Sequence, residues 1–218
     1  MRIATWNLAG RWSPQHEALM LAVEADVWLL TEVHHRTSVD GFVSYPSATD
    51  MASQRHWAAV LSNREGTDPF GPHSASSAVT IDGTTFCSTV LPWRTSGSQP
   101  WGDGDTAQRT ARAVHAITES LAGRTVLWGG DWNHALLGPE HAGSAGGRAA
   151  IERALHEMQL QAPTAGLTHQ TPGHHTIDHV AVPETWTVHK AERVPVHSSG
   201  HSLSDHDIYV VDAGPAPS

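Results

Sequence analysis

The chain has 218 residues, 39% of them hydrophobic, with 19 Gly and 13 Pro, which suits one domain of good size that is rich in turns. Thirteen Lys and Arg against 22 Asp and Glu leave a formal charge of −9 with neutral histidines, a balance that opposes non-specific binding to nucleic acid yet fits acids gathered round a cation. The 17 His shift that balance in mild acid, the lone Cys87 forbids an internal disulfide, and no apolar run approaches membrane-spanning length. Cys87 lies in an apolar run and reads as a buried small hydrophobe. Met1–Arg2–Ile3 runs straight into strand-like sequence without a signal-peptide layout, so a cytoplasmic setting and a monomer are expected.

Taken in order, Arg2–Leu8 reads as a first strand, with Asn7 near its end and Gly10 breaking it. Ser13–Pro14 starts a helix that carries Leu19, Met20 and Val23. Asp26–Val33 is a nearly continuous apolar strand, expected to be central, and Glu32 at its end needs a partner, for which a cation is one choice. His34–Gln54 reads as a polar loop and Trp57–Ser62 as a third strand. Ser76–Asp82 and Thr84–Leu91 flank Asp82–Gly83, a hairpin signal. Pro92–Asp105 is a loop with Trp93, Arg94 and Trp101, either a surface loop anchored by tryptophans or a mobile aromatic and cationic lip over a site. Thr106–Leu121 is predicted helical, with Gln108, Arg109 and Arg112 on a solvated face. Arg148–Met158 is a further helix. Thr176–Val182 and Thr185–Val196 form a strand pair. Ile208–Asp212 closes a domain of residues 1–212, leaving 213–218 as a disordered tail. Hairpin-joined strands mixed with helix-separated ones point to an α/β (α+β) fold with mixed sheets and helices outside.

The most informative stretch is Thr125–Asn133, a buried strand stopped by Gly129–Gly130 and followed by Asp131, Trp132 and Asn133. Alternation points Asp131 and Asn133 one way and Trp132 the other. By itself this is also an ordinary Asx turn. Asn7, Glu32, Asp131 with Asn133, Asp178 with His179, and Asp205 with His206 each lie at or near the edge of an apolar strand. Acids with amides and a histidine suit an oxygen-liganded Mg²⁺ or Mn²⁺ better than Zn²⁺, because neither HExxH nor CxxC is present. The histidine pairs His175/His179 and His197/His201 read as scattered structural histidines.

Thr5–Trp6–Asn7, Leu30–Thr31–Glu32, Gly130–Asp131–Trp132–Asn133, Ile177–Asp178–His179 and Ser204–Asp205–His206 stand in this order over almost the whole chain. In that order they resemble the endonuclease/exonuclease/phosphatase (DNase I-like) superfamily. The resemblance implies a four-layer α/β sandwich of two packed mixed sheets flanked by helices. It also implies a divalent-metal-dependent phosphoesterase. Glu32 would bind the metal, with Asn7 helping to orient it and Asp205 supporting its side of the site. Asp131 would position or deprotonate the attacking water, Asn133 would hydrogen-bond the phosphate, and His206, oriented by Asp178, would contact or protonate it. Ala9 stands where some members carry a second acidic ligand, which favours one ion. Val90 fills a slot that often holds His or Tyr, with Arg94 as a candidate substitute cation and Trp93 beside it as a candidate substrate contact. The expected substrate is a DNA or RNA phosphodiester. The alternatives are a small phosphate ester, a phospholipid head group, or a catalytically silent binding module; a zinc- or nickel-binding histidine-rich protein is a further rival.

Overall fold

The structure, a computed structural model, describes residues 1–198 and 201–216. The elements follow in the order β1 (Arg2–Asn7), α1 (Pro14–Val23), β2 (Val27–His34), β3 (Val43–Pro46), β4 (Asp50–Ala52), β5 (Arg55–Ser62), β6 (Thr67–Phe70), β7 (Ser76–Ile81), β8 (Thr84–Thr89), α2 (Thr106–Leu121), β9 (Thr125–Asp131), α3 (Ala145–Glu157), β10 (Leu160–Gln161), β11 (Asp178–Pro183), β12 (Trp186–Val194), β13 (His197–Ser198), β14 (His201–Ser202) and β15 (Ile208–Pro215).

Side-chain alternation along the apolar strands dictates two packed sheets. In β1, Ile3 faces one way and Ala4 and Trp6 the other; in β2, Val27 and Leu29 share the side of Ile3, while Trp28 and Leu30 share that of Trp6. The first sheet runs β12–β15–β1–β2–β5–β3, with β4 also on β5, and only β1 and β2 are parallel neighbours. The second runs β10–β11–β9–β8–β7–β6, with β8 and β9 parallel. Ile3, Leu29, Val60 and Val211 of the first sheet meet Val79, Phe86, Leu127 and Val180 of the second. Each such buried side chain contributes about 1.5–3 kcal/mol relative to exposure. Trp6, Trp28 and Leu30 pack outward with Met20 and Val23 of α1. Trp128, Trp132 and Cys87 pack outward with Ala113 and Ile117 of α2 and Ile151 of α3. The order is helix, sheet, sheet, helix, as expected.

Local chemistry starts and stops these elements. Asp82 at φ 49° and Gly83 at φ 77° turn the β7–β8 hairpin. Asp105 caps α2: its carboxylate accepts from Gln108 N–H at 2.8 Å, and Gln108 Oε1 accepts from Asp105 N–H at 3.0 Å. The helix predicted over Arg148–Met158 begins at Ala145, three residues earlier, because Ser144 Oγ accepts from Gly147 N–H at 3.0 Å. Burial pushes the Cys87 thiol up to about 12, which leaves it an inert hydrophobe.

Several expectations need correction. The segment 34–54 holds the short strands β3 and β4, which lack an alternating pattern and are paired by β5. β15 runs to Pro215, past Asp212, because Ala213 is buried and its N–H donates to Met1 C=O at 3.0 Å; residues 217–218 lie outside the described residues. Arg109 is not solvated: it is buried and donates to the carbonyls of Ser96 at 2.6 Å and Gly97 at 2.7 Å. Arg112 donates to Trp101 C=O at 3.2 Å and to Asp103 C=O. With Trp101 itself buried, the loop 92–105 is pinned to α2 and is the anchored surface loop, not a free lip. Among the described residues no helix is long and apolar enough to cross a membrane.

Asp207 shows how a buried charge is tolerated. Its carboxylate accepts from Arg193 Nε at 2.6 Å and from Val196 N–H at 3.0 Å. Arg193 in turn holds Thr168 and the carbonyl of His169. Asp207→Ala should therefore cost about 2–3 kcal/mol, read by urea unfolding, because it strands both donors.

Candidate active site

The chemistry collects at one rim between the two sheets. Asp178 and Asp131 are direct cross-strand partners on β11 and β9. Asn7 lies beside Thr31 at the ends of the parallel pair β1 and β2. Glycine at 129 lets the sheets close on this rim: a Cβ there would come within 2.5 Å of His179 C=O and 2.7 Å of Leu29 Cδ1 on the facing sheet.

Asn7 is the hub. Its Oδ1 accepts from Ala9 N–H at 2.8 Å, which fixes the amide so that Nδ2 donates to Asp131 Oδ2 at 2.9 Å and to Glu32 Oε1 at 3.2 Å. Glu32 Oε2 pairs with Arg55 Nη1 at 2.8 Å, so the partner this strand-end acid requires is a guanidinium from β5. Glu32 itself sits at φ 49°, a conformation costing about 1–3 kcal/mol for a side chain of this kind. Gly10 N–H holds it there by donating to Glu32 C=O at 2.8 Å. Asp131 Oδ1 accepts from Asn133 N–H at 2.9 Å, so the Asx turn and the site are the same structure. Asp178 Oδ2 lies 2.7 Å from His206 Nδ1, and Ser204 Oγ donates to Asn7 C=O at 2.6 Å, tying the His206 loop to β1.

The electrostatics are opposed in a useful way. Burial, and then the facing Asp178, push the Asp131 carboxyl up to about 7, against the pull of His206 and the hydrogen bonds from Asn7 and Asn133. Burial works against a charged His206, but the charge and hydrogen bond of Asp178, with Asp131 and Asp205 behind them, outweigh it and raise the ring to about 10. Asp131, Asp178 and His206 also place ligand atoms within 4.8 Å of one another.

No protein-family model and no curated protein matches the chain in sequence. Solved structures do match. An AP endonuclease from Archaeoglobus fulgidus aligns with a TM-score of 0.74 at 17% identity over 97% of this chain and 98% of its own. A 3'-5' exonuclease from Neisseria meningitidis aligns at 0.73 and 15% over 97% and 99%. A protein from Beutenbergia cavernae titled endonuclease/exonuclease/phosphatase aligns at 0.67 and 15% over 99% and 71%. The chain has the endonuclease/exonuclease/phosphatase fold.

On that fold, Asn7, Glu32, Asp131, Asn133, Asp178 and His206 are brought together from five separate stretches of chain. Asn133 donates its Nδ2 to Leu91 C=O at 3.0 Å. Asp205 is exposed and enters through its charge on His206. Trp93 packs edge-on against Trp101, and Arg94 is exposed, its Nε 3.3 Å from Gly143 C=O. Val90 is buried in the core beneath α2, so its strand offers no imidazole. His169 stands near His206 instead, ring centroids 6.4 Å apart, followed by His141 at 5.5 Å from His169 and His174 at 4.2 Å from His141. Arg55 and this histidine row escaped the sequence reading, since neither carries a spacing signal. His179 is structural: it is fully buried, lies 2.9 Å from His134 C=O, and burial lowers it to about 4. The side chains of His197 and His201 lie outside the described residues.

Proposed function

We propose that the chain is a divalent-metal-dependent phosphoesterase that cleaves P–O bonds by in-line attack of water, with a DNA or RNA phosphodiester as first substrate class. One observation carries the reading: a single amide, Asn7, ties Glu32 and Asp131 on the rim where Asp178 holds His206. The names of the structural neighbours, AP endonuclease and 3'-5' exonuclease, belong to the same reaction class.

The donor set fits a hard cation. Glu32 and Asp131 present carboxylate oxygens, and Asp178 Oδ1 is buried with no hydrogen-bond partner. Glu32 would hold one Mg²⁺ or Mn²⁺, steadied by Asn7 and supported by Asp205; the Ala9 side chain offers no oxygen to a second. When bound, the ion polarises a phosphoryl oxygen and the attacking water. Asp131, titrating near 7, is suited to take the proton of that water. His206, kept cationic by Asp178, neutralises phosphate oxygens and can hand a proton to the leaving oxygen. Asn133 would steady the phosphate, and Trp93 and Arg94 are the proposed contacts for the rest of a substrate. The lone buried Cys87 suits a reducing, cytoplasmic setting.

A small phosphate ester is the second reading, favoured by the net charge of −9. Hydrolysis of bis-p-nitrophenyl phosphate with Mg²⁺ or Mn²⁺ tests the chemistry. EDTA should abolish it, and His206→Ala should lower it about 10²–10⁴-fold. Equal rates for both proteins would defeat the catalytic assignment and leave a binding module. A plasmid, a single-stranded oligonucleotide and a panel of phosphate esters then separate the substrate classes.

A further inference from the structure

We propose that His35, Asp50 and His56 form a second metal site, distinct from the phosphoesterase centre and suited to Zn²⁺. Three chain segments build it. His35 follows the end of β2, Asp50 opens β4, and His56 lies in β5 directly opposite Asp50. The backbone seats the first of these, since His35 N–H donates to Gln54 C=O at 3.0 Å.

The geometry is that of a ligand cage. His35 Nε2 and His56 Nδ1 each lie 3.0 Å from Asp50 Oδ1, and all three ligand atoms fall within 4.8 Å of one another. Bonds of about 2.0–2.1 Å to a tetrahedral ion put neighbouring ligands about 3.3 Å apart, which the two Asp50–imidazole distances already match to within a few tenths of an ångström. A plain carboxylate–imidazole pair would need one imidazole, yet Asp50 Oδ1 faces two, His35 Nε2 and His56 Nδ1, whose rings lie 4.3 Å apart. Two ring nitrogens and a carboxylate oxygen converging on one point are what an ion shared by all three would bind.

Ligand chemistry separates the two sites. Two imidazole nitrogens and one carboxylate oxygen, with one position left for water, favour Zn²⁺ over Mg²⁺ and Mn²⁺, whereas the all-oxygen set round Glu32 has the reverse preference. The second ion would act as a clip. It would join the chain just beyond Glu32 to β5, where Arg55, the residue before His56, pairs with Glu32.

The test strips the protein with a chelator, adds Zn²⁺, removes the excess by gel filtration and counts the metal retained. Co²⁺ in place of Zn²⁺ gives a visible spectrum that reports nitrogen ligation. Wild type should keep one Zn²⁺ per chain. His35→Ala, His56→Ala and Asp50→Asn should each weaken binding about 100-fold or more, since even outer-shell partners of a metal are worth 10–100-fold. Glu32→Gln and His141→Ala should bind as wild type does. Asp50 is exposed, so Asp50→Asn serves if a histidine variant fails to fold. Unchanged Zn²⁺ retention in Asp50→Asn, or a loss that follows His141→Ala or Glu32→Gln instead, would overturn the proposal.

Discussion

Asp131→Asn should lose activity and gain stability, and the gain should grow with pH. The carboxyl is raised to about 7 in the folded protein against 3.8 in the unfolded chain. Between those values the folded state keeps a proton that the unfolded state has released. Stability therefore falls as pH rises through that interval, and the full penalty applies above 7. Asparagine has no such slope. His206 contributes stability that is whole below 6.5 and lost as pH rises through about 10; Asp178 sustains most of it in both proteins, so the comparison is read at pH 8 or below. One pKa unit is worth about 1.4 kcal/mol, and each kcal/mol moves the midpoint of a chain this size by about 2–4 °C. The midpoint of Asp131→Asn should pull ahead of wild type by several degrees between pH 5 and pH 8 in metal-free buffer, as followed by circular dichroism. Phosphodiester hydrolysis should fall about 10²–10⁴-fold. A midpoint difference that stays level with pH would mean that burial and Asp178 do not strain Asp131.

The second large effect belongs to a residue with no side chain. Gly130 sits at φ 118°, and a Cβ there would lie 2.3 Å from Thr89 C=O and 2.7 Å from its nitrogen, both backbone atoms of β8 that cannot swing aside. Gly130→Ala combines backbone strain with overpacking, each about 1–3 kcal/mol. The midpoint should drop by about 10 °C, and Asp131 should be displaced with its strand. Gly83→Ala is the control. Gly83 also has a positive φ, 77°, but no atom lies within 4 Å of its added Cβ. It should cost only about 1–2 kcal/mol. Similar losses for the two variants would show that conformation alone, not the approach of β8, demands glycine at 130.

The fold was legible where burial imposes a period. β1, β2 and β9 alternate or run apolar because each touches a core on both faces, and α2 shows a clear stripe. β3 and β4 had no such signal, because they lie at the sheet's margin and are mostly exposed. The site was legible in part for a related reason. Asn7 and Asp131 end strongly patterned strands, Glu32 lies near the end of another, and Asp178 and His206 stand at or just before the start of two more, so their positions could be read before their contacts. Arg55 could not be assigned to Glu32, since that pairing depends on the β2–β5 register, which places His34 against Arg55. Arg109 looked solvated for a similar reason. Nothing local to α2 says that the carbonyls of Ser96 and Gly97 fold back over it.

The pairing of β1 with β15 brings Asn7 to the loop that bears Ser204 and His206. Asn7 is thus translated almost two hundred residues before His206. A nascent chain that stops short of His206 can join Asn7 to Glu32 and Asp131 but cannot form the Asp178–His206 pair. The rim is complete only once β15 has docked between β1 and β12. Such long-range closure is intrinsically slow.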